Sequence, residues 1–136
     1  MPVIRSADNR RTETPNAVMT TLASPTQGNA ASAIWRVEMK PAQAGPLHAI
    51  DAEQIWTVLE GGASVLLGTE TIAVRAGDTL VMAADVPRRI TADRQDGLVA
   101  IATAPASMRA YPLDGFVVGA HCAVPDGDKL VPAWVA

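Results

Sequence analysis

Residues that bind metals or form disulfides are scarce in this sequence. There is one cysteine, Cys122, in 136 residues, which excludes an internal disulfide framework and any paired-cysteine zinc or redox motif. There are two histidines, His48 and His121, so a metal site would be short of its commonest ligand. No apolar run reaches the roughly 18 residues that a membrane span needs. Arg5, Asp8, Arg10, Arg11 and Glu13 come early, so the N-terminal region lacks the apolar core of a signal peptide. Excess positive charge is missing too. A net charge of −3 and a pI near 5.2 offer no attraction for a nucleic-acid backbone, and Arg10 with Arg11 is only a surface pair. What is present is 49% apolar and 18% charged residues, the balance of one well-buried globular domain. A cytoplasmic location is the expectation.

Ten prolines and ten glycines interrupt the chain at short intervals. Between them lie strand-like runs rich in β-branched, aromatic and apolar residues: Val18–Leu22, Ala33–Met39, Gln54–Leu59, Ala63–Leu67, Thr71–Val74, Thr79–Met82 and Leu98–Thr103. Turns are expected at Glu60-Gly61-Gly62, Gly68-Thr69 and Ala76-Gly77-Asp78. No stretch keeps apolar residues at helical spacing for three turns, so at most one short helix is expected. The pattern predicts an all-β sandwich or barrel. Alternation places Trp35, Val37 and Met39 on one strand face, and Gln54, Trp56 and Val58 on another. The second strand is largely apolar on both faces, which suits a central position. Residues 1–16 read as a polar arm, and residues 17–136 as one domain whose tail is pinned by Trp134.

Two segments carry a family resemblance. The stretch from Gly45 to Gly61 resembles the first motif of the cupin superfamily, G-x5-H-x-H-x3,4-E-x6-G. With His48 as its first histidine, the second falls on Ile50, the glutamate on Gln54, the closing glycine on Gly61 and the leading glycine on Ala42. The second motif, G-x5-P-x-G-x2-H-x3-N, lies on Gly77 to Ala92. Ala83 stands for its proline, Asp85 for its second glycine, Arg88 for its histidine and Ala92 for its asparagine. The resemblance implies an all-β cupin barrel, the double-stranded β-helix or jelly roll, and a homodimer paired through the outer sheet and N-terminal arm.

The same resemblance implies a ligand set of three histidines and a glutamate for iron (Fe), manganese (Mn), nickel (Ni) or zinc (Zn). Here those positions read His48, Ile50, Gln54 and Arg88. Ile50 has no electron pair to give, Gln54 offers a neutral amide oxygen, and Arg88 repels a dication. Simple alternation turns neither Asp51 nor Glu53 inward. The residues suit a metal-free polar cluster at the bottom of an apolar cup. In that reading His48 transfers a proton, Arg88 stabilises an anion and Gln54 orients a carbonyl or hydroxyl. Ile50 and Trp56 wall a ring. The chemistry is isomerisation, cyclisation or elimination on a small, mostly apolar, weakly acidic substrate. Two alternatives stand beside it: a metal-dependent quercetinase-like dioxygenase keeping His48 and Gln54 as ligands, and a binding or sensing module that leaves its ligand unchanged. Tyr111, His121 and Cys122 come late in the chain, where a loop or the last strands are expected. Cys122 reads as a buried inert thiol.

Overall fold

A computed structural model describes residues 3–113 and 129–136 of the chain. Among these residues, ten strands follow a 3-10 turn at Ser6–Asp8: β1 Arg10–Glu13, β2 Val18–Ala23, β3 Ser32–Met39, β4 His48–Ile50, β5 Gln54–Leu67, β6 Glu70–Arg75, β7 Thr79–Met82, β8 Arg88–Ala92, β9 Leu98–Pro105 and β10 Ala110–Pro112. Neighbours are antiparallel throughout, and the sheet curls into a barrel in the order β1-β2-β3-β9-β5-β8-β4-β10, with β6 and β7 also paired to β5. The all-β expectation holds. The segment read as an arm adds β1 to the sheet edge, in register with β2 from Arg10 opposite Thr21 to Glu13 opposite Val18.

One predicted turn is not a turn. Glu60-Gly61-Gly62 lies inside β5, which runs unbroken for 14 residues. Its first part, through Gly61, pairs with β9 and β7, and from Gly62 onward it pairs with β6 and β8. A register shift between Val58 and Glu60 and a φ of 68° at Gly61 bend the strand from one half of the barrel into the other. Glycine is required there by contact as well as by backbone angle, because a Cβ on Gly61 would overlap the carbonyl oxygen of Gly97.

The inward faces follow the predicted parity. Trp35, Val37 and Met39 are buried on β3, as are Gln54, Trp56 and Val58 on β5. Between these strands lies β9, whose inward residues Ala100, Ala102 and Ala104 are small. Ala102 pairs in register with Trp35 on one side and Trp56 on the other. The alanines leave room for two indoles side by side, and the space ahead of the rings is not filled by β9.

The tail closes against the opposite edge of the barrel. Val135 is fully buried, and Thr21 Oγ1 donates to the Trp134 carbonyl at 2.7 Å. Ser24 Oγ and Thr26 Oγ1 donate to the Ala136 carbonyl oxygen at 2.7 Å each, joined by Arg10 Nη2 at 2.9 Å. The buried hydroxyls of Thr21 and Ser24 are thereby satisfied.

Both substituted glycine positions of the motifs keep the backbone that glycine favours. Ala42 has φ 66° and Asp85 has φ 63°, beside 68° at Gly61 and 94° at Gly77. A left-handed alanine costs roughly 1–2 kcal/mol. Net of the added unfolded-chain entropy, Ala42→Gly is therefore expected to raise stability by about 0.5–1 kcal/mol, measured by urea denaturation. An unchanged or lower midpoint would show that the strain is relieved elsewhere.

A cup between the two halves of the barrel

The two halves of the barrel enclose a cavity of about 510 Å³. Its walls come from Met19 on β2, from Trp35, Val37 and Met39 on β3, from Ile50 and Ile90, and from Met108. The tail supplies residues 130–134, and all three tryptophans of the chain, Trp35, Trp56 and Trp134, border the space. No Asp, Glu, Lys or Arg among the described residues belongs to the lining. Both Trp35 and Trp56 keep a buried indole N–H with no acceptor among the described residues.

The four positions singled out in the sequence do converge. His48 on β4 lies directly opposite Arg88 on β8, and Ile50 follows two residues on with the same facing. Gln54 opens β5 and is buried, reaching Arg88 from across the barrel floor. Ile50 and Trp56 stand in the wall, 2% and 8% exposed.

Arg88 points inward, yet it is not one of the cup-lining residues. It is fully buried behind them and donates through Nε to the Val86 carbonyl at 3.1 Å, through Nη2 to the Ala83 carbonyl at 2.8 Å and through Nη1 to Gln54 Oε1 at 3.5 Å. Burial lowers its pKa to about 10, against the opposing pull of Tyr111 and Asp85, so it remains a cation at neutral pH.

That cation sets the direction of Gln54. A guanidinium only donates, so the amide oxygen faces Arg88 and the NH₂ group faces Met108, whose sulfur lies 3.7 Å from Nε2. A thioether is a weak acceptor. Gln54 therefore offers the cup a donor, where the sequence left carbonyl or hydroxyl orientation open.

The tautomer of His48 is fixed in the same way. Nδ1 lies 2.8 Å from the Pro46 carbonyl, which can only accept, so the ring proton sits on Nδ1 and Nε2 carries a lone pair. Desolvation lowers the pKa below 6.5, the Pro46 bond opposes the shift, and Arg88 adds to it. His48 is a neutral base at physiological pH. The sign for folding follows: the unfolded chain binds this proton more readily, so this contribution to stability is complete above pH 6.5 and diminishes on acidification.

The donor set does not suit a first-row metal. One imidazole remains, Ile50 has no donor atom, and the amide oxygen of Gln54 is turned toward a buried guanidinium. Asp51 is engaged elsewhere, accepting from the Arg109 N–H and lying 3.6 Å from Lys129 Nζ. No group of three or more His, Cys, Asp or Glu side chains suited to a metal occurs among the described residues.

Tyr111, on β10, lies opposite Ala49, on the alternate parity to His48 and Ile50, and still borders the cup. It packs with Ala49 and Leu113, and its hydroxyl donates to Asp85 Oδ1 at 2.8 Å. His121 and Cys122 fall outside the described residues. Met19, Met108 and the tail were not legible as cup walls from the sequence. Met108 lies in a loop, and the tail crosses the cup only because hydroxyls on and after β2 anchor it.

The sequence matches the cupin domain family over residues 35–103, just over half of the chain. The chain is a cupin. A search of curated protein sequences returns no match. Among solved structures, this cupin is similar to the polyketide cyclase RemF from Streptomyces resistomycificus, with a TM-score of 0.66 and 20% identity over 77% of this chain and 79% of that one. It is also similar to an RmlC-like cupin from Shewanella frigidimarina, with a TM-score of 0.64 and 16% identity over 77% and 91% of the two chains. For KdgF from a Halomonas species the TM-score is 0.62, with 19% identity over 76% and 92%. At these identities the likeness concerns the barrel. No helix among the described residues is long and apolar enough to cross a membrane.

Proposed function

We propose that this cupin is a small-molecule enzyme that performs metal-independent proton transfer, of isomerase, cyclase or lyase type, on an apolar, weakly acidic substrate. The observation that carries this reading is the pairing of a neutral imidazole, bare at Nε2, with an amide NH₂ donor at the floor of a cup to which the described residues contribute no charged side chain. A base and a donor are what enolisation needs: His48 removes a proton next to a carbonyl while Gln54 Nε2 holds the oxygen on which charge develops. Arg88 supports that oxygen through Gln54, by orienting the amide and polarising it. Ile50, Trp56 and the methionines keep water away from the exchanging carbon.

The test is hydrogen exchange at the α-carbon of aryl ketones in D₂O, followed by NMR. Exchange by the wild type is expected to fall roughly 100-fold or more in His48→Ala. Because the His48 pKa is lowered, the wild-type rate is expected to stay level from pH 8 down to 6.5 and to decline only below it. Equal exchange by His48→Ala, or a decline beginning well above 6.5, overturns the reading.

A homodimer and a cytoplasmic location belong to the same proposal. Leu59 and Val81, 45% and 55% exposed on β5 and β7, give the outer face the apolar surface that pairing uses.

A further inference from the structure

The barrel has a seam. Its sheet runs from β1 to β10, and among the described residues neither β1 nor β2 pairs with β4 or β10, so no ladder joins the two ends. The tail crosses that gap. At one end Leu130 exchanges two main-chain hydrogen bonds with Ala110 on β10, of 2.8 and 2.7 Å. At the other, Thr21 holds the Trp134 carbonyl, while Ser24, Thr26 and Arg10 hold that of Ala136. Between these attachments Val131, Pro132 and Ala133 border the cup, and their main chain bonds to neither edge of the sheet. The Pro132 carbonyl accepts only from the N–H groups of Val135 and Ala136, within the tail itself. Val131 and Ala133 are exposed as well as lining, so one thickness of chain separates the cup from solvent there.

The two attachments differ in kind. The bond pair at Ala110 joins main chain to main chain, as in a sheet. The far end hangs on side-chain donors that water replaces at small net cost. Its release would uncover Pro132 and Val135, the two buried side chains of the tail. Segments with few main-chain bonds to their surroundings and little burial are the first to open. We infer that residues 131–136 are a strap that swings from Leu130 and unclasps at Thr21, Ser24 and Thr26, and that the seam beneath it is the way into the cup. The inference concerns access, and it is the same whether the occupant is transformed or only held. Two small side chains set against the solvent place the open form on the order of 1% of molecules.

Labelling of a thiol placed in the cup wall tests it. Ile90→Cys, in a Cys122→Ala background, puts the thiol on β8, in the opposite half of the barrel from β2. The uncharged aromatic disulfide dithiodipyridine reports on it by the coloured thione that exchange releases. Ile50→Cys is a second reporter, in case the first folds poorly. With the clasp intact, labelling is expected roughly 100-fold slower than for a free thiol, since the reagent waits for the open form. Thr21→Val keeps the side chain's shape and loses its bond to Trp134; Thr26→Ala loses its bond to Ala136. Each is expected to speed labelling about 5-fold, the worth of one net hydrogen bond, and the pair about 25-fold, because one opening releases both. Gly77→Ala lowers stability from the β6–β7 turn, where nothing touches the added carbon, and is expected to leave the rate unchanged. Three results would each overturn the inference. Labelling at the free-thiol rate with the clasp intact would mean that the cup stands open without the strap moving. Unchanged rates in both clasp variants would mean that entry lies elsewhere. Equal acceleration by Gly77→Ala would mean that the reagent arrives only through global unfolding.

Discussion

Gly61→Ala is expected to destabilise the protein by about 3 kcal/mol or more, lowering the thermal midpoint by roughly 10 °C. Two costs add. The left-handed φ of 68° penalises any Cβ by roughly 1–2 kcal/mol. The new methyl then meets the Gly97 carbonyl, which is main chain and cannot swing aside as a side chain would. Gly97 is itself confined: its φ is 67°, and a Cβ there would lie 2.5 Å from the Met39 carbonyl oxygen. Relief would require β5 and β9 to separate, and with them the register that sets Trp56 beside Ala102. Thermal and urea unfolding measure the effect. Gly77→Ala is the control, since it shares a positive φ of 94° but has nothing within 4 Å of the added carbon, and it is expected to cost only the backbone share. Equal losses in the two variants would show that contact with Gly97 is not what holds the bend.

Arg88→Ala is expected to lose a further large share, about 3 kcal/mol or more, and here the terms have opposite signs. Removing the cation relieves the desolvation that pushes its pKa down to about 10. Against this stand three hydrogen bonds from a charged donor, roughly 1.5–3 kcal/mol each. The void left by the largest polar side chain in the interior adds about 2–5 kcal/mol, on the scale of large-to-small core changes. Loss outweighs relief. Arg88→Met fills most of the void and isolates the hydrogen-bonding part, so its stability is expected to fall between wild type and alanine. Denaturant titration of the three proteins gives the order. A wild-type midpoint for Arg88→Ala would mean that the guanidinium stands in water instead of in the barrel.

The sequence carried the barrel better than the cup. Alternation in β3 marked its inward face residue by residue, because a half-buried strand cannot hide its parity, whereas β5, apolar on both faces, showed only which residues share a face. β4, β8 and β10 gave no such signal: they are three to five residues long and polar or proline-flanked, and only motif spacing located His48 and Arg88. Glycine misled at β5, since the residue that permits a turn equally permits a bend within one strand. The direction of Gln54 was illegible because it depends on a guanidinium 34 positions away in the chain. Arg88 was legible as inward but not as hidden: parity gives a side, and depth depends on which neighbours are longer.

The unbroken run of β5 has a consequence for how the molecule comes apart. Its 14 residues bond to β7 and β9 at one end and to β6 and β8 at the other, with no loop between to act as a boundary. Neither half of the barrel can release its share of that strand without fraying the other's. Unfolding should therefore be a single cooperative event, with coincident transitions by every probe, and amide protons of β5 should exchange only through global opening.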